Sequence, residues 1–263
     1  MISLVINVDT RPEKDSQGRM LDGVRSRDFL TDGVINKKNF FRDSVIETIV
    51  YVDEHEDHDL QIPGDTVVFS KHREYFGTEH YFPKFNDMNF LQALMLARGE
   101  YIVHFDGDMA AFRQPNAPVI KEWLDLLKAR VYDYICYPSW WSPVAVTDPT
   151  FDYAWASTRF FICRRETLDY TEIVKCLQSD EYLYGKYGDR QRRCPWLEHV
   201  LGLIAGQGKV WYPPMDFNRY MIFSWSKYIN GTLARLNGGS YEDALAYVKQ
   251  AGGITYPCDV RAH

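Results

Sequence analysis

The chain has 263 residues, of which 46% are hydrophobic and 15% aromatic, with a formal net charge of -6 and a pI near 5.7. This apolar content is enough for one large core or two fused cores, and it excludes an intrinsically disordered chain. The acidic balance argues against a general nucleic-acid binder, which would be basic overall.

The first predicted element is a β-strand at the N-terminus, followed by a long connection. The run Ile2 to Asp9 is rich in aliphatic and β-branched residues, and it ends in Asp9-Thr10-Arg11-Pro12. The segment from Arg11 to Phe40 is rich in Gly, Asp, Arg and Lys and is predicted as a long insertion. Arg25 and Arg27 are candidates to contact phosphate or an acidic acceptor, although a solvated loop face explains them more simply.

A second strand and a helix are predicted next along the chain. The strand covers Glu47 to Glu54, with Asp53 near its end. The acidic run of residues 54–59 contains two histidines but lacks the HExxH spacing of a zinc helix, so a solvated loop is favoured. Residues 86–99 combine a capping residue, apolar positions at helical spacing and a terminal Arg-Gly stop, which predicts a helix.

The most informative stretch is Tyr101 to Asp108, a short apolar run that ends in two carboxylates separated by one glycine. It predicts a buried strand that brings Asp106 and Asp108 to the edge of a sheet on the same side, with Gly107 permitting a close backbone approach. Magnesium and manganese ions prefer oxygen ligands and often share one or two protein carboxylates with substrate phosphates. The pair is therefore a candidate metal site, and a simple Asp-Gly-Asp turn is the alternative.

The α/β alternation continues in the middle of the chain. Val119 to Lys128, preceded by prolines, predicts a helix, and Tyr132 to Tyr137 predicts a strand. Trp140 and Trp141 lie between prolines, which indicates a loop. A stacking platform for a sugar ring and ordinary core packing explain this tryptophan pair equally well.

The last third of the chain contains a basic stretch and two predicted helices. Lys186 to Arg193 is a candidate flap over a diphosphate or an acidic acceptor, and a solvated loop is the commoner interpretation. A helix begins at Pro195 and places Glu198 and His199 in its first turns. Residues 241–250 form a predicted amphipathic helix that closes at a pair of glycines.

These segments resemble the family 2-like glycosyltransferases of the GT-A fold. In that family an alanine-rich helix ending in Ala-Arg-Gly-Glu-Tyr, here Ala97 to Tyr101, leads into a strand that ends in a DxD motif, here Asp106 and Asp108. The resemblance covers residues 1–214. It implies an α/β, Rossmann-like fold with a mixed central sheet flanked by helices.

The resemblance also implies roles for residues at the nucleotide side. Asp9 and Arg11 match the end of the first nucleotide-binding strand, where the family more often has Pro-Thr-Tyr-Asn-Arg. Asp53 matches an aspartate that contacts the nucleotide at the end of the second strand. Asp106 and Asp108 are then expected to hold Mn²⁺ or Mg²⁺ and, through it, the diphosphate of the donor.

On the acceptor side, the segment from Ala156 to Glu166 resembles the family's central strand beneath the acceptor site. This implies Arg159 as an acceptor contact, and the tryptophan pair of residues 140–141 is a further candidate because aromatic rings stack on sugars. Glu198 and His199 look like a variant of the Glu-Asp motif that supplies the base for the acceptor hydroxyl. Either side chain can accept a proton near neutral pH, and an exposed helical glutamate beside a hydrogen-bonded histidine is the alternative.

The function implied by the resemblance is a metal-dependent glycosyltransferase that moves a sugar from a nucleotide-diphosphate sugar to an acceptor hydroxyl with inversion. UDP-sugar is the expected donor, and the expected acceptor is a glycan, a lipid-linked sugar or a small molecule rather than a nucleic acid. A sugar-1-phosphate nucleotidyltransferase is one alternative, but it would open with a glycine-rich loop that residues 7–12 lack. A non-catalytic nucleotide-sugar-binding protein is the other, although the intact acid pair argues against it.

We expect one GT-A domain over residues 1–263, with a nucleotide-sugar half (1–110), an acceptor half (111–214) and a C-terminal buttress (215–263). The chain begins with strand-forming residues rather than a charged leader, and no apolar run in the sequence is long enough for a membrane span. This predicts a cytoplasmic protein, at most peripheral to a membrane. The five cysteines form no CxxC pair, which predicts reduced thiols that are mostly buried. They are Cys136, Cys163, Cys176, Cys194 and Cys258.

Overall fold

A central β-sheet with helices on both faces organises the protein. The computed structural model describes residues 1–9, 27–53, 64–70, 90–107, 109–136, 156–188, 197–213, 216, 218–224 and 240–250. The sheet is mixed, with parallel and antiparallel neighbours. The predicted α/β class with a mixed central sheet flanked by helices, as implied by the GT-A resemblance, is confirmed.

The strands form one large and one small sheet. Those in the described ranges are β1 (Ile2–Asp9), β2 (Val45–Asp53), β3 (Thr66–Ser70), β4 (Tyr101–Asp106), β5 (Met109–Arg113), β6 (Tyr134–Cys136), β7 (Phe160–Arg164), β8 (Val210–Trp211) and β9 (Tyr220–Ser224). Seven of them form the central sheet in the order β3-β2-β1-β4-β7-β6-β8, with β7 antiparallel to its two neighbours. The carboxyl ends of β1 to β4 therefore meet at one edge, which we call the carboxyl edge.

The helices cover both faces of this sheet. Their bounds are α1 (Arg27–Phe41), α2 (residues 90–96), α3 (Val119–Lys128), α4 (Tyr170–Gln178), α5 (Asp180–Tyr187), α6 (Leu197–Ala205) and α7 (Tyr241–Gln250). One core cluster joins buried residues of α1, α3 and α7 to one face, and a second joins those of α2, α4, α5 and α6 to the other. None of the helices in the described ranges is both long and apolar enough to cross a membrane.

Burial on both faces explains why the inner strands read as continuous apolar runs. Strands of a parallel sheet that is covered on both sides have no solvent-facing positions along most of their length. In β4, Val103 and Phe105 belong to one core cluster, whereas Ile102 and the fully shielded ring of His104 lie on the other face. The alternation continues to Asp106, which is the first residue of β4 to be partly exposed.

A glutamate network fixes the amino end of β4. Ser3 donates to Oε1 of Glu47 and accepts from the backbone N–H of Gly99 at 2.7 Å. Arg98 donates its backbone N–H to Glu47 at 2.6 Å and its Nε–H at 2.8 Å. A Cβ at Gly99 would lie 2.6 Å from the backbone nitrogen of Ser3, so only glycine fits. The Ala-Arg-Gly-Glu-Tyr motif is thus explained by packing far from the carboxyl edge.

The small sheet pairs β5 with β9 and lies on the α1 side of the molecule. The two strands are antiparallel, with Met109 opposite Ser224 and Arg113 opposite Tyr220. Asn36 of α1 forms two hydrogen bonds of 2.9 Å with the backbone of Ala111. Sequence reasoning did not find this sheet, because its pairing joins segments more than a hundred residues apart.

Most of the predicted elements are present. The strand at residues 101–106, the helix at 119–128 and the C-terminal helix at 241–250 have the predicted positions. Strand β1 has the predicted bounds, and β2 begins two residues earlier and ends one residue earlier than predicted. Strands β6 and β7 are shorter than the predicted segments at both ends. The helix that contains Glu198 covers Leu197–Ala205. Cys136, Cys163 and Cys176 are buried free thiols, as predicted. Cys194 and Cys258 lie outside the described residues.

Two predictions are wrong. The segment from Arg11 to Phe40 is not an uninterrupted loop, because its second half forms α1, whose buried side chains include Val34 and Phe40. Lys186 is not part of a solvated flap, because it lies in α5 and its Nζ donates to Glu172 of α4 at 2.7 Å. In both cases tertiary contacts stabilise helices in stretches whose polar composition suggested loops. Arg190, Arg192 and Arg193 lie outside the described residues.

Candidate functional site

Three aspartates end neighbouring strands at the carboxyl edge. Asp9 of β1 is opposite Asp53 of β2 in the parallel register, and Asn7 of β1 is opposite Asp106 of β4. The edge therefore concentrates acidic residues on adjacent strands. In open α/β sheets, ligands bind outside the carboxyl ends of the strands. This edge is the candidate active site.

Asp106 is held in place by its own strand. Its side chain is 32% exposed, and its Oδ1 lies 3.3 Å from Nε2 of His104, two residues earlier on the same face. The other ring nitrogen of His104, Nδ1, lies 3.2 Å from the carbonyl oxygen of Val5 on β1. The imidazole is packed between the rings of Phe90 and Phe161. The carboxylate thus reaches solvent while a buried ring fixes its orientation.

The turn after Asp106 is tightly constrained. A Cβ at Gly107 would lie 2.7 Å from the carbonyl oxygen of Asn7, so a larger residue cannot be placed there without moving β1 or β4. The carbonyl oxygen of Gly107 accepts a hydrogen bond of 3.2 Å from Nζ of Lys37, a fully buried side chain of α1. The predicted partner of the acid pair, Asp108, lies outside the described residues.

A short segment before β7 connects Asp106 to Glu198 of α6. The backbone N–H of Asp106 donates to the carbonyl oxygen of Arg159 at 2.8 Å. The preceding residue, Thr158, donates both its backbone N–H, at 2.9 Å, and its hydroxyl, at 3.0 Å, to Oε1 of Glu198. Arg159 therefore contacts the candidate metal-binding aspartate, and its neighbour Thr158 contacts the candidate base.

The surroundings of Glu198 favour proton transfer. Burial raises the pKa of its carboxyl above the ordinary value of 4.5, and the negative charge of Asp106 raises it further. The hydrogen bonds from Thr158 and the charge of Arg159 oppose this shift without cancelling it. Both Thr158 hydrogen bonds go to Oε1, and Oε2 has no recorded partner among the described residues. A raised pKa with one available oxygen suits a general base.

His199 occupies a different environment from Glu198. Its side chain has no exposed surface, and its ring lies 6.0 Å from that of Tyr184 in the core between α5 and α6. The two residues predicted together as candidate bases therefore lie on different sides of α6. Successive residues of a helix point about 100° apart, so only one of them faces the carboxyl edge.

The remaining predicted site residues are divided between described and undescribed regions. Arg159 is exposed and directly precedes β7 at the carboxyl edge. For Asp9 and Asp53 the structure gives strand positions but no side-chain placement. Arg11, Trp140 and Trp141 lie outside the described residues, as do Arg25 and the acidic run of residues 54–59.

The carboxyl edge has a composition that fits a divalent metal. Asp106 offers a partly exposed, oriented carboxylate, and magnesium and manganese often bind through one or two protein carboxylates plus substrate phosphates. Within the described ranges no cluster of three or more His, Cys, Asp or Glu side chains comes together. The described residues thus supply part of a metal shell rather than a complete protein cage.

Three residues of this site were missed by sequence reasoning. His104 contacts Asp106 from the same strand, whereas Lys37 and Thr158 contact the site through hydrogen bonds from other segments. The period-2 pattern of β4 does place His104 on the same face as Asp106, which is the one signal available in the sequence. Nothing in the local sequence around Lys37 or Thr158 indicates their contacts.

Sequence comparisons find no relative for this chain. No protein-family model matches it, and no curated protein matches it.

Several solved structures share the general arrangement at low identity. A galactosyltransferase, LgtC, in complex with donor and acceptor sugar analogues, is 11% identical over 90% of this chain and 83% of its own, with a TM-score of 0.45. A 4-diphosphocytidyl-2C-methyl-D-erythritol synthase from Anaerococcus prevotii is 13% identical over 94% and 96%, with a TM-score of 0.42. Glucosyl-3-phosphoglycerate synthase from Mycobacterium tuberculosis, with Mn²⁺, UDP and phosphoglyceric acid, is 16% identical over 71% and 65%, with a TM-score of 0.36. At these scores the likenesses carry no argument about the activity of this chain, which has to come from the site itself.

Proposed function

We propose that this protein is a metal-dependent glycosyltransferase that moves a sugar from a nucleoside-diphosphate sugar, UDP-sugar first, to an acceptor hydroxyl with inversion. The observation that carries the proposal is the link through Thr158 and Arg159. It joins an oriented, partly exposed Asp106 to a Glu198 whose carboxyl has a raised pKa. A metal-holding acid next to a separate proton acceptor is what such a transfer requires.

The acids of the carboxyl edge divide the work in this proposal. Asp106 and Asp108 would hold Mn²⁺ or Mg²⁺, which when bound offsets the charge of the diphosphate leaving group. Asp9, Arg11 and Asp53 would contact the nucleotide, since Asp9 ends β1, the neighbour of β4, and Asp53 ends β2, the next strand in the sheet.

The base in this proposal is Glu198. Its Oε2 takes the proton from the acceptor hydroxyl as the hydroxyl oxygen attacks the anomeric carbon, while Thr158 fixes Oε1. His199 stays a weaker candidate because its ring has no exposed surface. The acceptor itself, a glycan, a lipid-linked sugar or a small molecule, would lie near Arg159, with Trp140 and Trp141 as proposed stacking partners.

The first test is binding of UDP, GDP and CDP with and without Mn²⁺, measured by calorimetry. We expect the native protein to bind UDP only when the metal is present, and we expect this metal-dependent binding to disappear in Asp106→Asn and Asp108→Ala. Partly exposed Asp180, at the start of α5 and away from the carboxyl edge, provides a matched control substitution, Asp180→Asn. Absence of nucleotide binding under every condition would contradict the proposal.

A second test separates transfer from the alternatives. Slow release of free sugar from UDP-sugars is expected from a transferase without its acceptor, and it should disappear in Glu198→Gln if water takes the place of the acceptor. Pyrophosphate release from UTP and a sugar 1-phosphate would identify a nucleotidyltransferase instead. Tight UDP binding with neither reaction would identify a binding protein.

A further inference from the structure

A cavity on the α1 side of the molecule is lined by two arginines. Its volume is about 290 Å³, and it lies between the end of α1, the end of β5 and the start of α7. Arg42 and Arg113 both line it, together with Asn39, Ser240 and Glu242. The function proposed above uses none of these residues.

This cavity is separate from the carboxyl edge. Arg113 is the last residue of β5, four residues after Met109, which directly follows the acidic turn. Four residues of a strand span about 13 Å. Arg42 follows α1 and precedes β2, so it lies towards the amino ends of the parallel strands, opposite the candidate active site. A ligand in the cavity would not occupy the nucleotide site.

Arg113 is a fixed donor whose recorded partners are backbone carbonyl groups. Its Nε–H donates to the carbonyl oxygen of Phe40 at 2.9 Å, and its Nη1 donates to that of Ala117 at 3.0 Å. A guanidinium has five N–H donors, so three remain after these two bonds. Burial and then the positive charge of Arg42 lower the pKa of Arg113, because both disfavour its charged form. No ion pair between either arginine and a carboxylate is recorded within the described ranges.

Arg42 is held in an unusual backbone conformation. Its φ is +48°, at the end of a helix where glycine is the common residue because it has no Cβ to crowd the backbone. The conformation directs the chain from α1 into β2 and keeps a charged side chain at the cavity. Arginine at this position therefore costs backbone strain that a glycine would avoid.

We propose that this cavity is a binding site for a small oxyanion, with a phosphoryl group as the best match. Two guanidinium groups line the cavity, and Arg113 has three N–H donors beyond its two bonds to backbone carbonyls. A guanidinium presents the fork geometry that binds phosphate oxygens in a bidentate manner. Bound phosphate relieves the repulsion between Arg42 and Arg113. Glu242 at the same cavity weakens the site, since its charge has the same sign as the ligand.

The test is titration with inorganic phosphate by calorimetry, at constant ionic strength and with EDTA present so that no metal-dependent binding at the carboxyl edge contributes. We expect saturable binding with a Kd of about 1 mM or tighter, since fixed, charge-assisted donors are already in place. Arg42→Gly should weaken binding by about tenfold or more, and Glu242→Gln should strengthen it.

Arg130→Gly is the matched control. Arg130 is the other non-glycine residue with a positive φ in the described ranges, at +57°, and it pairs with Glu166 at 2.9 Å away from the cavity. Both glycine variants relieve the same kind of backbone strain, so they should fold, and only Arg42→Gly should lose phosphate. Arg113→Lys serves as a second variant, because it keeps the charge but lacks the fork.

Two results would overturn the inference. One is native protein that shows no saturable phosphate binding, and the other is Arg42→Gly that binds phosphate as tightly as Arg130→Gly does. The proposal does not depend on the glycosyltransferase function, because the measurement uses no nucleotide, metal or sugar.

Discussion

Glu47 and Glu198 lie near opposite ends of the central sheet and differ in how their charge is compensated. Burial raises the pKa of the Glu47 carboxyl, but hydrogen bonds from Ser3 and Arg98 and the charge of Arg98 outweigh it, so the net pKa is lowered. Burial also raises the pKa of Glu198, and two hydrogen bonds from Thr158 do not reverse it. One carboxylate is stabilised as an anion, and the other is kept ready to take a proton.

The difference separates a structural end of the sheet from a functional one. At the amino end, Ser3 and Arg98 donate to Glu47, and these hydrogen bonds join β1, β2 and the start of β4. At the carboxyl end Asp106 and Glu198 remain close enough for their charges to interact unfavourably. Groups that reduce stability in this way are typical of sites where chemistry takes place.

The largest effect is expected for Glu198→Gln. Glutamine keeps an oxygen for the two Thr158 hydrogen bonds but cannot accept a proton, so sugar transfer should fall by about 10²- to 10⁴-fold. Its melting temperature at neutral pH should not fall, because the carboxylate is destabilised there. Steady-state kinetics measures the rate of sugar transfer, and thermal melts measure the melting temperature. Glu181→Gln, at an exposed position of α5, is the control, and equal activity of the two variants would remove Glu198 from the mechanism.

The two glycines that flank β4 should distinguish the two ends of the sheet. A Cβ at Gly107 meets the carbonyl oxygen of Asn7 at 2.7 Å, so Gly107→Ala should displace Asp106 and reduce turnover by about 10²-fold. A Cβ at Gly99 meets the backbone of Ser3 at 2.6 Å, so Gly99→Ala should mainly reduce stability.

Gly185→Ala is the control for both glycine variants. Gly185 lies inside α5, and no described atom lies within 4 Å of the position that an alanine Cβ would take. Alanine should therefore raise the free energy of unfolding by about 0.5–1 kcal/mol. Turnover and denaturant unfolding of the three variants can be compared directly. If Gly99→Ala reduced turnover more than Gly107→Ala did, the division between the two ends would be wrong.

Glu47→Ala should have the opposite profile to Glu198→Gln. It leaves the donors of Ser3 and Arg98 without their acceptor, which should cost about 1–3 kcal/mol of unfolding free energy while kcat stays unchanged. Urea unfolding and kinetics on the remaining folded protein test this. A loss of kcat in folded Glu47→Ala would show that the amino end of the sheet also contributes to activity.

The smallest effects are expected in pH profiles. Glu47 has a lowered pKa in the folded state, so its stabilisation is complete above its ordinary value of 4.5 and is lost as the pH falls through the lower folded value. Glu198 has a raised pKa and must be deprotonated to act as a base. Activity should therefore fall as the pH decreases through this raised pKa, which lies above 4.5. Thermal melts measured against pH report on Glu47, and kcat/KM measured against pH reports on Glu198. If kcat/KM of Glu198→Gln still fell at low pH, a group other than Glu198 would be responsible for that fall.

Local patterns in the sequence determined the elements and the identity of the acidic turn. Apolar alternation, helix spacing and stop signals act over a few residues, so they identify the strand before Asp106 and helix α3 without knowledge of their neighbours. The order of these elements indicated alternating helices and strands, and the resemblance to the GT-A glycosyltransferases, carried by the Ala-Arg-Gly-Glu-Tyr run and the Asp-Gly-Asp tip, implied the fold class and the expected site.

Only the tertiary structure decided which polar residues act on that site and which support the fold. The hydrogen bond from Lys37 to the carbonyl oxygen of Gly107 and the Thr158 bonds to Glu198 depend on which segments meet, and no local pattern encodes that. The same holds for the pairing of β5 with β9 and for the network around Glu47. The pKa of a carboxyl depends on burial and on nearby charges, so two glutamates that look alike in the sequence acquire opposite properties once the chain folds.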